Sequence, residues 1–274
     1  VLADRIPHGT ILSHDLIEGI FAGAGLVSDI EVVEDFPTHY ELAAARQHRW
    51  ARGDWQLLPW ILRRGVPLAG RWKMLDNLRR SLSAPSAFLA LAIGWTLPLH
   101  EAVFWTGFVI ATIALPVCLP LSDALIPRRV GVSKRTYLSD LADDLGVALA
   151  QTLFRLTLLA DQAFLMLDAI SRTLVRVLLT RRRLLEWVTA AQAQANRRLG
   201  WVGCYRQMTG GLALAALAAV GLLLASSEAI GVAAPILLLW LAAPSIACWA
   251  GSPLQEAALP PLAPFRLPPL AREL

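Results

Sequence analysis

Asp15, Arg49 and Trp50 are three side chains of the kind that a group transfer to a hydroxyl requires. A carboxylate takes the proton of an attacking hydroxyl when it lies within hydrogen-bond reach. An arginine presents a planar fork that grips phosphate oxygens. A tryptophan offers a flat face to the C–H side of a sugar-like ring and an N–H that donates. Asp15 stands in Ser13-His14-Asp15, and the other two stand in Arg46-Gln47-His48-Arg49-Trp50-Ala51-Arg52-Gly53-Asp54-Trp55-Gln56. The chain therefore carries an acid–base group, an anion clamp and a stacking surface in that order, just ahead of a long hydrophobic run.

Each of these residues also has a plainer reading. Asp15 or Ser13 can cap the N-terminus of a helix. Arginine and tryptophan are common where a helix meets a membrane interface, which accounts for the pair but poorly for the whole string from Arg46 to Gln56. Within that string Gln47, His48 and Arg52 are further candidates for substrate contact, with a surface histidine as the ordinary alternative for His48. Gly53 permits a close backbone approach or simply close helix packing.

The elements that position these groups follow from periodicity. Leu16 to Phe21 predict a short helix headed by Asp15 and ending near Gly23 and Gly25. Leu26 to Glu34 read as a strand closed by Pro37. From Thr38, the residues Tyr40, Leu42 and Ala43-Ala44-Ala45 predict a helix that runs into the Arg46 string.

Composition then sets the solvent. Of 274 residues, 56% are hydrophobic and 17% charged, and the mean hydropathy is +0.52. A water-exposed globule of this size does not hide so much apolar surface, so lipid is expected around part of the chain. Glu101 is the sole charge between positions 84 and 121, and Glu228 the sole charge between 208 and 250. Each stretch is long enough for two crossings joined by a turn. About four transmembrane helices are expected, near 84–99, 102–121, 208–225 and 230–250. Residues 137–194 mix leucines with Asp140, Asp161, Asp168, Arg172 and Arg181-Arg182-Arg183, which suits amphipathic helices on the membrane surface. A fifth span near 145–160 would bury Arg155 in lipid, at a cost of a few kcal/mol.

The expected organisation is thus a water-compatible part over 1–80, transmembrane and interfacial helices over 81–250, and a Pro-rich linker over 251–274. Arginines flank the spans and both turns lack Lys and Arg, which puts the N-terminal part, the central segment and the tail on the cytoplasmic side. Cys118, Cys204 and Cys248 fit no metal spacing and read as small buried hydrophobes. Beginning at Val1 in what reads as the middle of a folded unit, the chain is expected to be a piece of a larger protein.

The strings Ser13–Gly19 and Arg46–Trp60, together with Trp72–Leu82 and Arg181–Ala193, resemble the glycosyltransferase region of cyclic β-1,2-glucan synthases. The resemblance implies the C-terminal part of a GT-A-like glycosyltransferase core, followed by membrane helices, in a mainly α protein of the bacterial inner membrane. It implies UDP-glucose as donor and a growing glucan as acceptor, with Asp15 as catalytic base and Arg49 and Trp50 in a Gln-x-x-Arg-Trp-like signature. The signature's Gln position holds Arg46, and Gln47 lies one step closer. A divalent cation, Mg or Mn, is implied for the complete enzyme. Its Asp-x-Asp ligands belong upstream, no such triplet occurs here, and the fragment alone is expected to be inactive. The upstream transferase half and downstream glycoside-phosphorylase-type domains are the implied partners within the intact protein. The family's glucan grows on a protein tyrosine, for which Tyr205, in Gly203-Cys204-Tyr205-Arg206, is a candidate beside its reading as an interfacial anchor.

A non-catalytic membrane scaffold or channel module is the competing reading from another class. A transporter would need intramembrane charges that the spans lack. Nucleic acid is not an expected partner, because the basic groups border membrane segments where anionic headgroups are the simpler partner.

Overall fold

The N-terminal helix α1 (Asp15–Ala22) stops where the chain turns left-handed at Gly23, φ +79°, a conformation open to a residue without Cβ. The structure, a computed structural model, describes residues 11, 15–23, 25, 27–28, 30–31, 39–124, 134–185, 200–225 and 228–251. Among them every regular element is helical. After α1 come α2 (Tyr40–Gln56), α3 (Leu58–Ile61), α4 (Leu68–Gly94), α5 (Leu99–Ala124), α6 (Lys134–Thr157) and α7 (Leu159–Leu174). α7 runs on through one turn of π-helix, Val175–Thr180. Then follow α8 (Trp201–Gln207), α9 (Thr209–Leu224) and α10 (Ile230–Ala250).

α2 forms because Glu41 to Gln47 are strong helix formers. It gives way to α3 at Leu57, with Pro59 in the first turn of the new helix, where its missing N–H is no loss. Ile17 of α1, Leu57, Ile61, Val66 and Met74 pack into one apolar cluster, which holds α1 and α3 against the start of α4.

A second, larger cluster joins the apolar helices. Phe88 of α4, Trp95 at its end and Trp240 of α10 pack ring against ring, with centroids 5.2 and 5.5 Å apart. Each buried indole N–H has an acceptor: Trp95 donates to the Thr106 hydroxyl at 3.0 Å, and Trp240 to the Leu156 carbonyl at 3.0 Å. An indole without such a partner would carry an uncompensated desolvation cost.

Two helices are long and apolar enough to cross a bilayer, Leu99–Leu121 and Ile230–Ala250, as expected. The expected span at 208–225 is α9, which joins α8 at a 64° bend; counted as one broken span, the pair makes a third. The stretch expected to span near 84–99 is not among these candidates. It is the end of α4, whose first part carries Arg71, Lys73, Asp76, Arg79 and Arg80, and the polypeptide turns before Leu99. Among the described residues there are two or three candidate spans, where about four are expected. α6, which ends at Thr157 and covers most of the 145–160 alternative, is not among them either.

In the central segment, where amphipathic helices are expected, α7 buries one face against α2, α4 and α9. Leu159, Ala160, Asp161, Ala163, Met166, Ala169, Ile170 and Thr173 are buried. The physical reason is size: small side chains let neighbouring backbones approach, and α9 meets α7 with Gly210 against Phe164 and Gly211 against Asp161. A Cβ at Gly211 would lie 2.6 Å from the Asp161 Cα. Gly211→Ala is therefore expected to destabilise the bundle by about 1–3 kcal/mol through overpacking. Gly221→Ala on the same helix, where an added Cβ meets nothing within 4 Å, should be neutral or slightly stabilising. Thermal unfolding of both variants in detergent checks this; equal melting temperatures would contradict the close approach of α9 to α7.

The described part of 1–80 contains helices and no strand, so the GT-A-like core is not visible in it. Most of the strand expected over Leu26–Glu34, and the linker beyond Gly251, lie outside the described residues.

Candidate active site

α2 carries most of the candidate residues, and its packing on α7 decides which way they face. Its inner face reads Tyr40, Ala44, His48 and Ala51. Ala51 packs with Met166 and Ala169 of α7, while Tyr40 and His48 make the polar contacts. The Tyr40 hydroxyl donates to Asp161 Oδ2 at 2.6 Å and accepts from Gln162 Nε2 at 2.7 Å. His48 Nε2 donates to Asp168 Oδ2 at 2.9 Å, and Arg172 Nε donates to the other Asp168 oxygen at 2.7 Å. A carboxylate accepts only, so the proton of the imidazole sits on Nε2.

Burial shifts these groups in opposite directions. It raises Tyr40 well above the ordinary phenol value, with the Asp161 carboxylate adding to the effect, and it raises Asp161 above the usual carboxylate range against the pull of Tyr40. Burial therefore holds Tyr40 as the neutral phenol that donates to Asp161. His48 is held below the ordinary histidine value, first by burial; the bond and charge of Asp168 oppose this, while Arg52 and Arg172 add to it. A base with a depressed folded-state pKa resists protonation in the folded protein more than in the unfolded chain. Stability from this group is thus complete above about pH 6.5 and falls as the pH drops through the unfolded value. Melting temperatures of the wild type and His48→Gln, followed from pH 7.5 to 5, should diverge less as the pH falls, because only the wild type loses this contribution.

The rest of the string faces elsewhere. Trp50 is exposed, at 45%, with the Arg46 guanidinium 4.5 Å from its ring centroid. Gln47 is exposed, and Arg49 and Arg52 are half-buried. Asp54 accepts from Asn77 Nδ2 at 2.9 Å, and Trp55 donates to the Ser81 hydroxyl at 2.8 Å, so the end of α2 is fastened to α4. Asp15 heads α1 and is exposed. Its helix packs, through Ile17, with Leu57 just past the C-terminal end of α2.

Tyr205 sits near the other end of α2. Its hydroxyl pairs with Ser245 at 2.7 Å, and the adjacent Cys204 thiol donates to Glu41 in the first turn of α2 at 3.3 Å. Glu41 and Leu57 are about 24 Å apart along the helix at 1.5 Å per residue. The fold gathers Arg49, Trp50 and Arg52 on one helix, sets Asp15 towards its C-terminal end, and leaves Tyr205 beside its N-terminal end.

Sequence reasoning missed two features. The first is α7 as the support of α2; its one sequence signal is the recurrence of Asp161 and Asp168, two turns apart, among alanines. The second is a cavity of about 370 Å³ bounded by Ile11, Gln56, Trp60, Arg63, Arg181 and Leu184. Arg63 stacks on Trp60 at 4.5 Å, and Gln56 donates to the Leu184 carbonyl at 2.9 Å. Arg181 and Arg183 adopt left-handed backbone conformations directly after the π-turn, φ +50° and +54°. Two arginines beside an indole can accept an anionic group attached to a ring. The implied divalent cation does not fit here: among the described residues no three His, Cys, Asp or Glu side chains gather to hold a metal.

A bundle of amphipathic and membrane-length helices, with an Arg-Trp helix held against a buried polar seam, defines a membrane-associated helical module. No family model matches the chain. Over 254 residues, 90% of its length, it is 43% identical to the cyclic beta-(1,2)-glucan synthase NdvB of Rhizobium meliloti (strain 1021). The chain is thus similar to a short stretch of a cyclic β-(1,2)-glucan synthase, spanning 9% of the length of that relative.

Proposed function

We propose that this chain is the acceptor-side portion of an inner-membrane inverting glucosyltransferase that builds β-1,2-glucan from UDP-glucose. The observation that carries the reading is the 43% identity across 90% of the chain to a glucan synthase. Asp15 takes the proton of an acceptor hydroxyl as its oxygen bonds to the anomeric carbon of the donor glucose. The bond from that carbon to the diphosphate breaks, and its electron pair leaves on the phosphate oxygen. Arg49 stabilises the charge gathering there, which is the larger part of what such a site supplies. Trp50, exposed on α2, offers its face to the acceptor sugar. The catalytic face is cytoplasmic, where the donor is made, and the cation's ligands come from the upstream part of the intact protein.

Membranes containing the intact protein should convert labelled UDP-glucose into a polymer whose methylation pattern shows 2-linked glucose. Membranes carrying the protein without label incorporation would favour the scaffold reading, in which the same helices only anchor other domains.

A further inference from the structure

α2 and α7 run parallel, since Tyr40 meets Asp161 and, two turns further along both helices, His48 meets Asp168. The apolar surface along this seam is made mostly of small side chains: Ala44 and, beyond His48, Ala51 on one side, with Ala163, Met166 and, beyond Asp168, Ala169 on the other. Alanine against alanine lets helices approach but fixes no axial register, because a slide of one turn presents a similar surface. A polar contact on such a seam does fix register, as a buried polar residue does in a coiled coil. Here two contacts share the task, and their spacings match to within one residue rise, about 1.5 Å. Both form only in one alignment.

We infer that Asp168 is a positioning residue for the transfer reaction: by gripping His48 it sets where α2 holds the neighbouring Arg49 and Trp50. Asp168 is suited to this because each of its oxygens has a separate partner. Oδ2 takes the His48 N–H, while Oδ1 is held by Arg172 on its own helix. The Arg172 contact, made within α7 itself, holds the carboxylate in the orientation that meets His48. His48 directly precedes Arg49 in the chain, so displacement of one moves the other. A shift of about 1 Å in a group that stabilises the departing charge costs on the order of a hundredfold in rate.

This inference rests on the proposed role of Arg49, and the experiment keeps the two apart. In the intact synthase, kcat and donor KM are measured for Asp168→Ala, Asp168→Asn, His48→Ala, the double variant Asp168→Ala/His48→Ala, and Arg49→Ala. Asp168→Ala should lower kcat by about ten- to a hundredfold, with KM changed less than threefold. Asp168→Asn keeps an acceptor for His48 and should recover most of the loss. The double variant should be no slower than the slower single one, because both act through one contact. If Asp168→Ala does not accumulate in the membrane, His48→Ala and His48→Leu, which remove the N–H that Asp168 accepts, carry the test; full kcat in both overturns the inference. Wild-type kcat in Asp168→Ala beside an inactive Arg49→Ala also overturns it and leaves the transfer reading standing. Wild-type kcat in Arg49→Ala removes the transfer reading and this inference with it.

Discussion

Asp15→Asn in the intact synthase is expected to lower glucose transfer by about a hundred- to ten-thousandfold, the contribution of a positioned general base. The substitution separates the two readings of this residue. Asparagine caps a helix as well as aspartate does, so if Asp15 only begins α1, the variant folds and transfers normally. Asparagine does not accept a proton, so if Asp15 is the base, transfer falls while α1 stays in place. The side chain is exposed at the head of α1, and α1 is held through the buried Ile17, so the change leaves the cluster around Leu57 and Met74 intact. UDP release and polymer formation, measured on membranes with equal amounts of the two proteins, read the outcome. Comparable rates would reduce Asp15 to a cap.

The parts of this fold that were legible from sequence are those whose cause is local. α1, α2, α5 and α10 announce themselves through a cap, a run of helix formers or an uninterrupted apolar stretch, each of which acts within a few residues. α7 does not. Its acids resemble the charged face of a surface helix, and the partners that change their meaning, Tyr40 and His48, are 121 and 120 residues away in sequence. Nothing short of the packed structure says that Asp161 and Asp168 point inwards. The difference between about four expected spans and two or three candidates among the described residues has a related reason. Hydropathy registers the apolar end of α4, but not that the same helix begins at Leu68 in a basic segment and stands against α7. The cavity beside Trp60 was illegible too, because it assembles Ile11, the segment from Gln56 to Arg63, and Arg181 from three separate stretches of chain.

The candidate residues on α2 were legible as a string, but the string conceals a division of labour. Tyr40, His48 and Ala51 face α7, Asp54 and Trp55 fasten to α4, and Trp50 remains exposed. Arg46 lies over the Trp50 ring, where it orients the indole. These roles give Arg46 and Arg49 distinct expected phenotypes, which a uniformly basic interfacial helix would not have.

Arg49→Ala is expected to lower kcat by about a hundred- to a thousandfold, as does removal of a single group that stabilises charge developing in a transition state. Whether kcat or KM carries the loss is itself informative. If Arg49 held the diphosphate equally well before and during bond cleavage, KM would rise and kcat would stay. The proposed role has the guanidinium meeting charge that grows as the glucose–phosphate bond breaks, so kcat should fall further than KM rises. Arg49→Lys keeps the charge but loses the planar fork, and should fall between wild type and Arg49→Ala. Arg46→Ala, by contrast, removes the group that sits over Trp50, and should weaken acceptor binding with a smaller loss of kcat. Steady-state kinetics of these three variants with UDP-glucose and a glucan acceptor distinguish the two patterns. Three arginine variants with the same modest, salt-dependent loss would instead mark the string as a membrane-surface contact, because exposed charges facing anionic headgroups act additively and are screened by salt.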